Sequence, residues 1–252
     1  MRGTPAARLS PPTPAATVVN VVARLREIEA SAAHDDGVVC FARLYREVTE
    51  AVAADLAGRE AESAAFLSRL DVRFAGLFFS ALDAWARSPA RTPRAWAPLF
   101  DARGRGGIAP LQFALAGMNA HINRDLPVAL VATCGELGLD LDDDSEQHRA
   151  YEHVNVLLGH VEATLKPAYL SGVVAALDRL VHRFHRLDDV VAMWDVARAR
   201  DAAWANGRAL WALRDDTDLA GDFLAALDRS VGLAGRGLLV PADTFLGRLA
   251  RL

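Results

Sequence analysis

A chain of 252 residues with 52% hydrophobic and 7% aromatic residues is long and apolar enough to bury a sizeable core. Its net charge of −4 gives no electrostatic case for binding nucleic acid or an anionic membrane. The two cysteines, Cys40 and Cys134, imply neither a disulfide framework nor a CxxC metal spacing.

Residues 1–15 are rich in Pro and Ala and hold no apolar run, which predicts a disordered tail and no signal peptide. All but one of the 28 basic residues are Arg, Lys166 being the exception, so a single Arg carries little information. Apolar stretches are too short, or too interrupted by Arg, Asp or His, to span a bilayer, and a cytoplasmic location is expected. From residue 16 onward nearly every segment has helical spacing, with alanine abundant and strand-like alternation scarce. Helices are expected at about 16–33, 38–56 and 59–69. A further helix at 71–86 is apolar on most sides and therefore central. Residues 88–98 contain three prolines and predict a loop, as does the Gly/Arg stretch 103–110. Beyond it the pattern predicts helices at 110–126, 127–137, 145–166, 170–186, 188–213, 219–231 and 242–252. The expectation is one all-α domain over 16–252, a compact multi-helix bundle with a polar pocket in its core.

The helix from Pro110 carries the main chemical clue. Leu111, Ala114, Leu115, Met118 and Ile122 form its apolar stripe, and His121 and Asp125 fall on that stripe one turn apart. A histidine and a carboxylate aimed inward need hydrogen-bond, ionic or metal partners, because burying them alone is costly. Asn119 and Asn123 flank the pair, and Pro127 is expected to end or kink the helix. Asp71 interrupts the densest face of the 71–86 helix. Arg198 and Asp201 interrupt the stripe Val190, Val191, Trp194, Ala197 and Ala205 in the same way. If the stripes share a core, these polar groups meet in one pocket. The plainer reading of His121 and Asp125 is a structural pair.

Two other patterns have competing explanations. His148 and Glu152, with His121 and Asp125, give part of the zinc-dependent phospholipase C and S1/P1 nuclease pattern. The amino-terminal Trp and early His ligands of those families are missing, however. His148 and Glu152 also point away from the Val154, Leu157, Leu158, Val161, Leu165 stripe. Asp142-Asp143-Asp144-Ser145-Glu146 fits an Asp-Asp-x-x-Glu magnesium motif of class I terpenoid synthases, but their second motif is absent. An acidic helix cap, with Asp143 and Glu146 as a capping box, is the favoured explanation of the run. His153, His160, His182 and His185 read as solvated or boundary residues. No Ser-His-Asp, P-loop or Rossmann signature occurs.

Leu44-Tyr45-Arg46-Glu47-Val48-Thr49, Leu70-Asp71-Val72-Arg73-Phe74-Ala75 and Gly117-Met118-Asn119-Ala120-His121-Ile122-Asn123-Arg124-Asp125-Leu126 resemble an uncharacterised family of bacterial helical proteins, a domain of unknown function. Tyr151-Glu152-His153-Val154-Asn155 and Arg198-Ala199-Arg200-Asp201-Ala202-Ala203-Trp204 are similar to its later segments, so the likeness runs from about residue 38 onward. The resemblance implies which residues matter, Asn155 ahead of His148, and no activity.

The sequence thus favours a small-molecule enzyme. His121 would be general acid/base or the ligand of a divalent metal, and Asp125 would orient it or share the metal. Asp71, Asn119, Asn123, Asn155, Arg198 and Asp201 would line the pocket or its network. The alternative is a non-catalytic helical ligand-binding or interaction protein whose His/Asp/Arg cluster is a buried structural network. A small-molecule ligand is the expected partner. Substrate, metal identity and oligomeric state are not encoded in any pattern found.

Overall fold

The structure, a computed structural model, describes residues 17–56, 61–156, 158 and 195–241, and these contain helices and no strand. In chain order the helices are α1 (Thr17–Ala30), α2 (Gly37–Leu56), α3 (Ala61–Arg87), α4 (Ala97–Ala102), α5 (Pro110–Ala120), α6 (Leu126–Leu137), α7 (146–156), α8 (Val196–Ala212) and α9 (Thr217–Leu238). A short 3₁₀ turn occupies Pro89–Arg91 and a π turn His121–Asp125. They pack as an all-α bundle, as the helical periodicity requires. The expected tail, the helices at 170–186 and 242–252, and His160, His182 and His185 lie outside the described residues.

The helices expected at 59–69 and 71–86 are one helix, α3. No Gly or Pro separates them, and Phe66, Leu67, Leu70, Phe74, Ala75 and Phe78 continue a single stripe through the join. The most enclosed helix is α5, where every residue except Pro110 and Met118 is buried. Glycine permits this: a Cβ on Gly117 would lie 2.4 Å from the Phe41 ring of α2. A Cβ on Gly37 of α2 would lie 2.5 Å from the Phe113 ring of α5. The two helices therefore interlock through reciprocal Gly–Phe contacts.

Pro127 neither ends the helix nor breaks its direction into a loop. A proline at 127 has no N–H to give and its ring crowds the carbonyl four residues back. The chain answers by widening one turn: the Leu126 N–H donates to the His121 carbonyl, five residues back, and α6 then runs on to Gly138, a left-handed cap at φ 66°. His121 and Asp125 are the first and last residues of that widened turn.

Two apolar clusters share the molecule. One gathers Phe41, Phe78, Trp96, Phe100 and Phe113 among α1–α5, with Val231 of α9. The other gathers Leu67, Leu126, Leu130, Tyr151 and Trp204 from α3, α6, α7 and α8. Phe74 and Met118 touch both. At α7 the capping differs from expectation: Ser145 Oγ, not Asp143, accepts from the His148 N–H at 3.1 Å. Asp143 instead accepts from Trp204 Nε1 at 2.9 Å and pairs with Arg208, tying the acidic run to α8.

Candidate functional site

Asp125 is fully buried and has three partners. Trp96 Nε1 donates to its Oδ2 at 2.8 Å, Arg124 donates to its Oδ1 at 2.7 Å, and His121 Nδ1 lies 3.3 Å from Oδ2. The network continues outward: Arg124 Nε is 3.6 Å from Asp228 Oδ1 on α9, and Asp228 accepts from the backbone N–H groups of Arg94 and Ala95. Asn119 donates to the Val231 carbonyl at 3.0 Å and accepts from Asn123 at 3.1 Å. Asn119 and Asn123 therefore belong to the seam between α5 and α9.

The other side of His121 is different. Trp96 and Arg124 are donors only, so Asp125 is an acceptor and the His121 proton sits on Nδ1. Nε2 is left with its lone pair, and it has no hydrogen-bond partner although the residue is only 1% exposed. The ring lies flat on Phe74, centroids 3.4 Å apart at 6°, with Tyr45 edge-on at 4.5 Å. Burial drives the His121 pKa down, against the opposing pull of Asp125, so the ring stays neutral at pH 7.

Tyr45 and Asp71 complete this side. Tyr45 is 4% exposed and its hydroxyl makes no well-formed hydrogen bond; the Thr49 hydroxyl beside it donates to the Tyr45 carbonyl at 2.9 Å. Burial, and then the charge of Asp71, raises the phenol well above its usual pKa, although the Thr49 hydroxyl pulls it down. Asp71 is partly exposed as a residue, but its Oδ2 is shielded from solvent and has no partner, and burial pushes its carboxyl up to about 7. Among the described residues, Tyr45, Asp71 and His121 line one cavity of about 70 Å³ where the two clusters meet. That is room for several waters. Leu67, Leu70 and Val154 supply apolar wall, and Thr49 of α2 and Arg200 of α8 also line it.

The polar residues expected to meet in one pocket therefore separate. His121 and Asp125 are together, and Asp71 faces the same cavity as His121. Arg198 does not join them: its side chain is 86% exposed and pairs with Asp195. Asp201 is exposed too, with Oδ1 3.4 Å from Asn155 Nδ2. The inward stripe of α8 is Val196, Arg200, Ala203, Trp204, Gly207 and Leu210, so the buried cation is Arg200. Arg200 donates to Asn155 Oδ1 and to the Tyr151 carbonyl, and lies 4.0 Å over the Tyr151 ring.

Tyr45, Trp96, Arg124, Arg200 and Asp228 were not singled out by pattern. Tyr45 could have been, because Val38, Phe41 and Tyr45 continue one stripe of α2 and a buried phenol needs a partner. Among the described residues no group of three or more His, Cys, Asp or Glu side chains gathers as a metal site. His148 and Glu152 pair locally at 3.5 Å, His148 stacked on Trp204, and do not join His121 and Asp125. Both oxygens of Asp125 already accept from N–H donors, so a metal at His121/Asp125 would have to displace them.

Comparison with known proteins places residues 18–241 under a family model described as "Family of unknown function (DUF5995)". No curated protein and no solved structure matches the chain.

Proposed function

The chain belongs to the DUF5995 family, whose function is unknown, and we propose that it binds a small molecule in the Tyr45–Asp71–His121 cavity and acts on it by acid–base chemistry. One observation carries this: Tyr45, Asp71 and His121 line a single, mostly apolar cavity, and each carries a buried polar atom without a hydrogen-bond partner. Buried polar groups left unsatisfied are costly and rare in folded proteins, and they gather where a ligand supplies the missing partners. His121 Nε2, on a neutral ring, is the base. Asp125 fixes its tautomer and orientation from behind, as a carboxylate does for a catalytic histidine. Asp71, with its carboxyl near the working pH, gives or takes a second proton, and Tyr45 orients the ligand.

The network reading fits the opposite face of the ring. Asp125, Arg124, Trp96 and Asp228 are hydrogen-bonded or ion-paired to one another or to backbone, which supports a structural role for them.

A thermal-shift screen of small metabolites on wild type, Tyr45→Phe and Asp71→Leu tests the proposal. The expected result is a compound that raises the wild-type melting temperature but neither variant's, and that is turned over by wild type but not by His121→Gln. If compounds shift wild type and both variants alike, the cavity is not the site. Binding lost in the variants, with no turnover by wild type, leaves a ligand-binding protein and removes the enzyme.

A further inference from the structure

The three atoms also specify what they would hold. Resting on the reading of the cavity as a ligand site, we infer that it takes a primary aliphatic ammonium group, with its three N–H donors answered by Tyr45 Oη, Asp71 Oδ2 and His121 Nε2. The donor count is the argument. His121 Nε2 is an acceptor only, because Nδ1 carries the proton toward Asp125. An ionised Asp71 is an acceptor only, and a phenol oxygen accepts as well as donates. An ammonium offers three donors, one for each of the three acceptor atoms, and leaves only the Tyr45 hydroxyl hydrogen to find its own acceptor. An alcohol offers one donor, and a carboxylate offers none while meeting the Asp71 charge.

Charge gives the same answer. Asp125 is neutralised by Arg124 at 2.7 Å, whereas Asp71 forms no ion pair among the described residues, and burial raises its carboxyl pKa. A bound ammonium supplies that missing cation. Arg200 on the cavity wall is the competing attraction for an anion. Its Nε and one terminal nitrogen are already committed to Asn155 and the Tyr151 carbonyl, and its plane covers the Tyr151 ring. The remaining wall, Thr49 apart, is apolar, with Leu67, Leu70 and Val154 suited to an alkyl chain. A volume of about 70 Å³ limits the enclosed part to a few heavy atoms. Phe74 follows Asp71 by three residues, so the carboxyl and the ring stacked on His121 share one face of α3.

Propylamine, propan-1-ol and propionate differ only in the head group and are the probes. Each is titrated into the full chain at about pH 8 by calorimetry, with chemical-shift perturbation as a second readout; at that pH Asp71 is ionised. Propylamine should bind with a Kd of roughly 0.1–10 mM, as so few atoms allow. Asp71→Asn should weaken it at least tenfold, Tyr45→Phe less, and propionate should not bind. Binding of propionate or propan-1-ol at least as tight as propylamine, and lost in Tyr45→Phe, overturns the ammonium and leaves the cavity reading standing. Binding of propylamine unchanged by Asp71→Asn also overturns it. If none of the probes perturbs the cavity resonances, the ammonium assignment fails, and the metabolite screen decides separately whether the cavity is a site.

Discussion

The two faces of the His121 ring have opposite bookkeeping. Toward Asp125, Trp96, Arg124 and Asp228, polar atoms are bonded or ion-paired and the chain is locked together across α4, the π turn and α9. Toward the cavity, the Nε2, Tyr45 hydroxyl and Asp71 Oδ2 atoms are buried without a hydrogen-bond partner among the described residues. Folding alone explains the first face. The second works against folding, and such local conflicts mark functional sites.

The contrast makes sharp predictions for stability. Asp125→Ala leaves the buried Trp96 indole without its acceptor and Arg124 with only its longer pair to Asp228, and should cost about 3–5 kcal/mol in denaturant unfolding. A cost under about 1 kcal/mol would mean that the network is loosely held. Asp71→Leu should have the opposite sign. With its folded pKa near 7 against the usual 3.8, Asp71 holds its proton in the native state where the unfolded chain has lost it. Native stability therefore falls as pH rises from about 4 to about 7 and is flat above, a loss of up to about 4 kcal/mol that shrinks as water reaches the partly exposed carboxyl. The variant lacks that loss, so its advantage over wild type should grow across this window. An advantage that does not change with pH would show that the carboxyl is not strained.

The smallest effect is expected where the sequence suggested a large one. Double-mutant cycles between His121 or Asp125 and Arg198 or Asp201 should be additive within about 0.5 kcal/mol, because Arg198 and Asp201 are exposed on α8. Coupling above about 1 kcal/mol in any cycle would place them in the network after all.

How far the molecule was legible follows from these residues. His121 and Asp125 were readable as inward because both replace an apolar residue on the dense stripe of Leu111, Leu115, Met118 and Ile122. The phase of α8 was not. Its sequence VARARDAAWANGRALWA offers alanine on every side, so Arg198 and Arg200 compete almost equally for the core and only packing against α6 and α7 decides. Trp96 reaches Asp125 from a proline-rich segment with no periodicity to reveal its direction. The π turn was hidden because Pro127 permits either a stop or a widened turn. The tertiary grip of Asp125 on Trp96 and Arg124 favours continuation.

The account rests on His121 presenting a basic nitrogen to the cavity while Nδ1–H is held by Asp125. Nitrogen-15 NMR of protein labelled at histidine reads this directly. At pH 7 the His121 ring should be neutral with Nδ1 protonated and Nε2 bare, and it should remain so below the usual pKa of 6.5. A ring protonated on Nε2 at pH 7, whether as the other tautomer or as the imidazolium, would contradict the account.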